Sequence, residues 1–335
     1  MGHLFNKSFA IATVALVSIN TLAKAQDVSA TVPPVLISTY AKAEDTPVGL
    51  ASPDFVISGG FGYTWLKGNE LVYDSGNRIS HLIWETKAPV VTLNAKGEIY
   101  NDWTISGNAV FGFNGDSHMV DYDWLAGDYA FDNWTDRSIH PDTRLDKYIN
   151  LDVALGRNFT LNDAVIVNLH GGLKYTNVKS TAYGGSFVYS QTGFRKDIGN
   201  FAADQKGISF EQRYPGIFIG TEAKINHAQW TLRGLARAGV TIGATDTDHH
   251  WVRDLRFEEK YGPIPFMSLG AEAGYQVTDN TQFTLGANFE QFFRKKGDTL
   301  IYDIPSGRQV AGPFKDGAGM DFRSITLSAG LKLAF

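Results

Sequence analysis

Trp230-Thr231-Leu232-Arg233-Gly234-Leu235-Ala236-Arg237-Ala238-Gly239-Val240-Thr241-Ile242, residues 230–242, alternates with a period of two. Successive side chains of an extended strand point to opposite faces. Trp230, Leu232, Gly234, Ala236, Ala238, Val240 and Ile242 therefore share one face. Thr231, Arg233, Leu235, Arg237, Gly239 and Thr241 share the other, which carries two arginines. An apolar face backed by a polar, charged face is what a strand needs when lipid lies on one side and a wet lumen on the other. The same period recurs at Tyr100–Asn114. Trp103, Ile105, Ala109, Phe111 and Phe113 alternate there with Asp102, Thr104, Ser106 and Asn108. From Gln282, Phe283, Leu285, Ala287 and Phe289 alternate with Thr284, Asn288 and Glu290.

Working outward, ten such segments are expected, near 53–67, 79–95, 98–115, 144–159, 164–180, 206–225, 228–243, 263–278, 281–294 and 321–335. Four connections read as short: Ala95-Lys96-Gly97, Thr160–Asp163, Ile225–Ala228 and Thr278-Asp279-Asn280. Five read as long: 68–78, 116–143, 181–205, 244–262 and 295–320. Short and long alternate, so all the long ones leave at one end, as in an outer-membrane barrel with tight periplasmic turns and long outer loops. The expected fold is all-β, a ten-stranded antiparallel transmembrane β-barrel.

Composition agrees. Hydrophobic residues make up 43% and aromatics 13% of 335 residues, with 35 glycines. That suits a barrel with an apolar exterior, a polar lumen and aromatic girdles. No apolar run is long enough for a membrane-crossing helix, which needs about 20 residues. Met1–Lys7 is a weakly basic head, Ser8–Ile19 an apolar run, and Ala23-Lys24-Ala25 a small-x-small cleavage pattern. Residues 1–25 are therefore expected to be a signal peptide, 26–53 a flexible Pro/Ala/Thr/Ser-rich extension, and 54–335 the barrel. The leader carries Lys7 and Lys24 and no acid, so without it 28 basic residues face 35 acidic ones, moving the formal charge from −5 to −7. That balance argues against nucleic acid as a partner. Cysteine is absent, so disulfides hold nothing.

Two stretches at the bases of outer loops could carry chemistry. In Met119-Val120-Asp121-Tyr122-Asp123-Trp124, Asp121 and Asp123 share a strand face; in Asp246-Thr247-Asp248-His249-His250, so do Asp246, Asp248 and His250. Facing across a lumen, these groups could hold a water whose proton His250 takes while Asp248 orients the ring. Asp121 and Asp123 would share a proton. Solvated surface acids or cation ligands are the commoner use of acid-x-acid pairs. Neither stretch has calcium-loop spacing, and no HExxH motif or cysteine pair supports zinc. No metal is expected.

Longer motifs carry a resemblance. Met119–Trp124, Trp134-Thr135-Asp136-Arg137-Ser138-Ile139-His140-Pro141-Asp142-Thr143 and Gly184-Gly185-Ser186-Phe187-Val188-Tyr189-Ser190 are similar to the omptin family of outer-membrane proteases. So are Gly193-Phe194-Arg195-Lys196-Asp197-Ile198-Gly199, Gln212-Arg213 and Lys295-Lys296-Gly297. The likeness runs from about Asp54 to Phe335. It implies an aspartic-type endopeptidase with its catalytic groove outside the cell, where water sits between an Asp121/Asp123 pair and an Asp248/His250 dyad. It implies a substrate pocket floored by Glu70 and Asp246 that selects cationic peptides or proteins at Arg or Lys. It also implies lipopolysaccharide as an activating lipid, bound by Tyr175, Lys179 and Arg213, with no other cofactor. Asn177 stands where the family pattern has an acid, and the stretch after Lys179 is about two residues shorter. Ser138 and His140 match a loop pair read as structural or substrate-positioning. A non-catalytic adhesin barrel is the alternative. A porin is disfavoured, because ten strands leave little lumen to conduct through.

Overall fold

The computed structural model describes residues 55–335, and the expected leader (1–25) and extension (26–53) lie outside them. Sixteen strands form one antiparallel sheet. In chain order they are β1 (Phe55–Asp74), β2 (Asn77–Tyr100), β3 (Trp103–Gly112), β4 (Asp116–Asp123), β5 (Asp136–His140), β6 (Asp142–Asn162), β7 (Val165–Tyr183) and β8 (Ser186–Tyr189). They continue as β9 (Asp197–Asn200), β10 (Lys206–His227), β11 (Trp230–Thr241), β12 (Thr245–His250), β13 (Leu255–Tyr261), β14 (Pro265–Thr278), β15 (Thr281–Asp303) and β16 (Gln309–Ala334).

The sheet closes on itself. β1 pairs with β2 on one side and with β16 on the other, so the membrane-level ring has no free edge, as a spanning sheet requires. Three staves are interrupted, β3 giving way to β4, β11 to β12 and β13 to β14. Counting each as one, and setting aside the short outer strands β5, β8 and β9, gives ten staves. The ten-strand expectation therefore holds.

Outward residues of the lower half are apolar and exposed, among them Phe61, Ile105, Val153, Leu173, Ile219, Leu232 and Leu285. Tyr100, Trp103, Trp230 and Tyr275 gather at the end of the tight turns, the aromatic girdle of a membrane barrel. The lumen is polar there and bound by ion pairs. Lys174 Nζ lies 2.6 Å from Glu290 Oε2, and Arg237 Nη1 lies 3.0 Å from Asp152 Oδ1. They line a cavity of about 280 Å³.

Two expectations need correction. Ala95-Lys96-Gly97 is not a turn but the interior of β2, paired in unbroken register with Ile57, Val56 and Phe55. The turn is Asn101-Asp102, whose φ values are 43° and 67°; Asn and Asp tolerate that left-handed backbone, which a two-residue hairpin needs. The five long connections are also not loops throughout. β1 and β2 run to a turn at Ser75-Gly76, 295–320 falls mainly within β15 and β16, and the other three contain β4, β5, β8, β9, β12 and β13. Backbone groups standing beyond the membrane still need partners, and pairing supplies them.

Midway up, inward positions turn aromatic. Tyr214 stacks on Phe292 at 4.2 Å, Phe266 lies 5.0 Å from Phe292, and Tyr148 lies 6.2 Å from Phe322. All five are buried, together with Leu66, Val90, Phe218 and Met320. This apolar septum separates the charged lumen from the outer rim. It accounts for the strand parity failing as a polar/apolar code at these heights.

Candidate active site

Above the septum, the upper ring runs β4-β2-β1-β16-β15-β13-β12-β10-β7 in pairing order. β4 and β12 are six steps apart along it, which sets them on opposing walls. β4 is positioned by β2, with Leu82 opposite Asp121 and Ser80 opposite Asp123. Glu70 of β1 is also paired with Leu82, so Glu70 and Asp121 stand at one height with a single strand between them. On the far wall, β12 is held between β10 and β13.

His250 and Asp248 form a close dyad, with Nε2 2.5 Å from Oδ2 and Asp248 only 2% exposed. Arg253, from the 3-10 turn Trp251–Arg253 that follows β12, contacts the other ring nitrogen, Nδ1, through Nη2. On the near wall Ser80 Oγ donates to Asp121 Oδ1 at 3.3 Å. Burial, then the neighbouring Asp123, pushes the Asp121 carboxyl well above the usual carboxylate range. Burial also takes Asp123 up to about 6, opposed by hydrogen bonding from Ser80 and by the charges of Arg253 and His250. Both carboxyls of the pair are thus held above the ordinary carboxylate range, and they titrate as a unit. His250 acts on Asp123 and Asp248 acts on Asp121, so the two walls are within electrostatic reach of each other.

The pocket residues meet the dyad. Donor atoms of Glu70, Asp248 and His250 lie within 4.8 Å of one another. The imidazole nitrogen is already committed to Asp248, which favours a proton-handling cluster over a divergent metal-ligand set. Glu70 is buried, accepts from Trp84 Nε1 at 3.3 Å, and is pushed well up by burial and by Asp248, Glu259 and Asp246. Burial takes Asp246 up to about 6, even though Tyr261 Oη donates to its Oδ2 at 2.7 Å. The structure therefore brings Asp121, Asp123, Asp248, His250, Glu70 and Asp246 into one site.

Ser138 and His140 are a buried pair with Oγ 2.9 Å from Nε2. Ser138 stands opposite Asp121, and His140 stacks on Phe201 at 5.3 Å. His140 Nδ1 has no hydrogen-bond partner among the described residues, so no carboxylate orients the ring. Lysine and arginine of the third proposed site sit on the outer wall. Arg213 of β10 is opposite Asn177 of β7, with Tyr175 and Lys179 two residues to either side of it. Glu211 lies among them, bonded to Arg213 Nη2 at 2.5 Å, Lys147 Nζ at 3.2 Å and Asn177 Nδ2 at 3.1 Å. A carboxylate from the next strand thus occupies the neighbourhood where Asn177 lacks one.

With this geometry in view, the comparisons with known proteins decide the family. The Omptin family model matches residues 52–335. The chain belongs to the omptin family. It is 29% identical over 284 residues to Protease 7 of Escherichia coli O157:H7, covering 80% of this chain and 86% of that protein. It is 28% identical over 300 residues to the plasminogen activator of Yersinia pestis, covering 85% and 91%. The crystal structure of the outer membrane protease OmpT from Escherichia coli superimposes with a TM-score of 0.79 at 26% identity, covering 85% of this chain and 98% of that one. This omptin is a bacterial outer-membrane β-barrel of a protease family.

Sequence reasoning missed Ser80, Trp84, Arg253, Glu259 and Tyr261. The first two lie on β2, with nothing local to mark them. The last three depend on a hairpin centred at Val252–Arg253, which sets Asp246 directly against Glu259.

Proposed function

We propose that this omptin is a surface endopeptidase in which His250, oriented by Asp248, takes a proton from water as that water attacks a scissile carbonyl. The observation that carries this reading is the buried 2.5 Å Asp248–His250 contact on the wall opposite the Asp121/Asp123 pair. In Nε2-protonated imidazole the free base is Nδ1, so Arg253 must leave that nitrogen before water is activated there. Asp248 stabilises the imidazolium that forms. A proton on the Asp pair is available to the oxygen on which negative charge develops. A buried acidic floor of Glu70 and Asp246 favours Arg or Lys before the cut, since an unpaired buried carboxylate penalises any neutral side chain.

The basic outer-wall group of Lys147, Lys179 and Arg213, with Tyr175 exposed beside it, supports lipopolysaccharide phosphates as the activating partner. The test is a quenched fluorescent peptide with a central Arg-Arg, given to the folded barrel with and without lipopolysaccharide, beside His250→Ala. Cleavage between the arginines, abolished in the variant, is expected, and lipopolysaccharide should raise it. A folded barrel that cuts nothing with the lipid present would leave the adhesin reading in its place.

A further inference from the structure

We infer that Glu259 is a third carboxylate of the specificity pocket, acting with Glu70 and Asp246 on a cationic substrate side chain. The inference rests on the reading of that pocket given above. Glu259 of β13 lies directly opposite Asp246 of β12, so both side chains leave the sheet on the same face. Its neighbour on the other side is Thr299 of β15, whose hydroxyl donates to Glu259 Oε1 at 3.3 Å. Tyr261 Oη lies 2.7 Å from Asp246 Oδ2 and 3.3 Å from Glu259 Oε2. That hydroxyl has one proton. If it donates to Asp246, the contact with Glu259 is complete only when Glu259 is itself protonated and donates back. Burial and the charge of Asp246 push Glu259 in that direction.

The cluster differs from the buried acids of the lower lumen. Lower down, Glu290, Asp152 and Glu222 each hold a lysine or arginine. Among the described residues no lysine or arginine forms an ion pair with Glu70, Asp246 or Glu259, although these are only 3%, 1% and 4% exposed. Buried carboxylates are expected to be paired. Asp246 Oδ1, in a side chain almost wholly buried, also has no hydrogen-bond partner among the described residues. Protons stand in for a cation, and an acceptor oxygen is left for one. A guanidinium offers five N–H donors and an ammonium three, chemistry that matches three carboxylates better than two. The entering cation displaces the shared protons, and Glu259 becomes a charged partner only when substrate is bound.

The experiment compares kcat/KM for two peptides that differ only by Arg or citrulline before the cut; citrulline keeps the shape and loses the charge. Wild type, Glu259→Gln, Glu259→Asp and Glu70→Gln are assayed side by side. Loss of one charge-assisted partner should reduce the Arg-over-citrulline preference roughly tenfold in Glu259→Gln. The effect should fall on KM more than on kcat, and Glu259→Asp should recover much of the preference. Glutamine matches the size of a protonated glutamic acid and keeps its hydrogen-bonding capacity, so Glu259→Gln should remain a folded barrel. If wild type and Glu70→Gln discriminate as the pocket requires while Glu259→Gln discriminates as well as wild type, Glu259 is not part of the selection. If wild type itself does not prefer Arg to citrulline, the pocket reading fails, and the role of Glu259 fails with it.

Discussion

Replacing Asp248 with Asn keeps the size of the side chain and removes its charge. In the structure this carboxylate lies 2.5 Å from His250 Nε2 and is 2% exposed, so solvent does little to screen the pair. Taking one partner from a buried ion pair costs about 3–5 kcal/mol. In the proposed mechanism that pair exists only once His250 has accepted the proton from water. The loss then falls on the transition state, and at 1.36 kcal/mol per decade kcat drops between roughly a hundredfold and several thousandfold. Stability should move differently. Asp248 is one of the charges that push Glu70, Asp246 and Glu259 upward, so its neutralisation relieves repulsion. The assay pairs turnover of the Arg-Arg peptide with thermal unfolding of the same refolded sample at pH 8. Loss of kcat with an unchanged or raised midpoint is expected. Activity within tenfold of wild type would remove Asp248 from the mechanism. An inactive variant with a clearly lowered midpoint would show that the residue matters for the fold instead.

Asp123 and Asp246 both take up protons in the folded state near pH 6, against an ordinary value of 3.8. Their folded-state values are raised, so the protonated barrel is favoured, and the stability this gives is present at low pH and lost as pH rises through about 6. About 3 kcal/mol is at stake for each group. Glu70, Asp121 and Glu259 are raised further and extend the loss upward. Asp123→Asn should therefore raise the unfolding temperature more at pH 8 than at pH 5; an equal effect at the two pH values would contradict the raised Asp123 carboxyl. Ser138→Ala should keep activity within about tenfold, because His140 lacks an orienting acid. A thousandfold loss with the fold intact would move the nucleophile to Ser138.

The strand periodicity was legible because every stave must present an apolar face to lipid. Leu232, Leu285 and Ile105 obey that rule over the whole membrane height. It weakened where lipid stops. Tyr148, Tyr214, Phe292 and Phe322 point inward to form the septum, at a height where a simple lipid-face/wet-lumen alternation does not hold. The turn at Asn101-Asp102 was missed because Ala95-Lys96-Gly97 offers a glycine, whereas the left-handed backbone fell to the Asn-Asp pair. The outer strands looked like loops because neither of their faces is constrained by lipid. Their polarity said nothing about pairing.

Asp121, Asp123, Asp246, Asp248 and His250 were visible in the sequence as same-face residues within two short motifs, because strand geometry fixes i and i+2 without help from the rest of the chain. Glu70 was reached only through family likeness. Glu259, Ser80 and Arg253 were not reached at all. They join the site through strand register and through closure of the barrel, which juxtapose residues distant in the chain. Sequence alone therefore determined the alternation, the ten staves and the two halves of the site, all consequences of a backbone period acting within one segment. Tertiary structure alone decided which wall each half occupies, and that burial would push these carboxyls upward, because register and desolvation arise only when the separate segments are packed together.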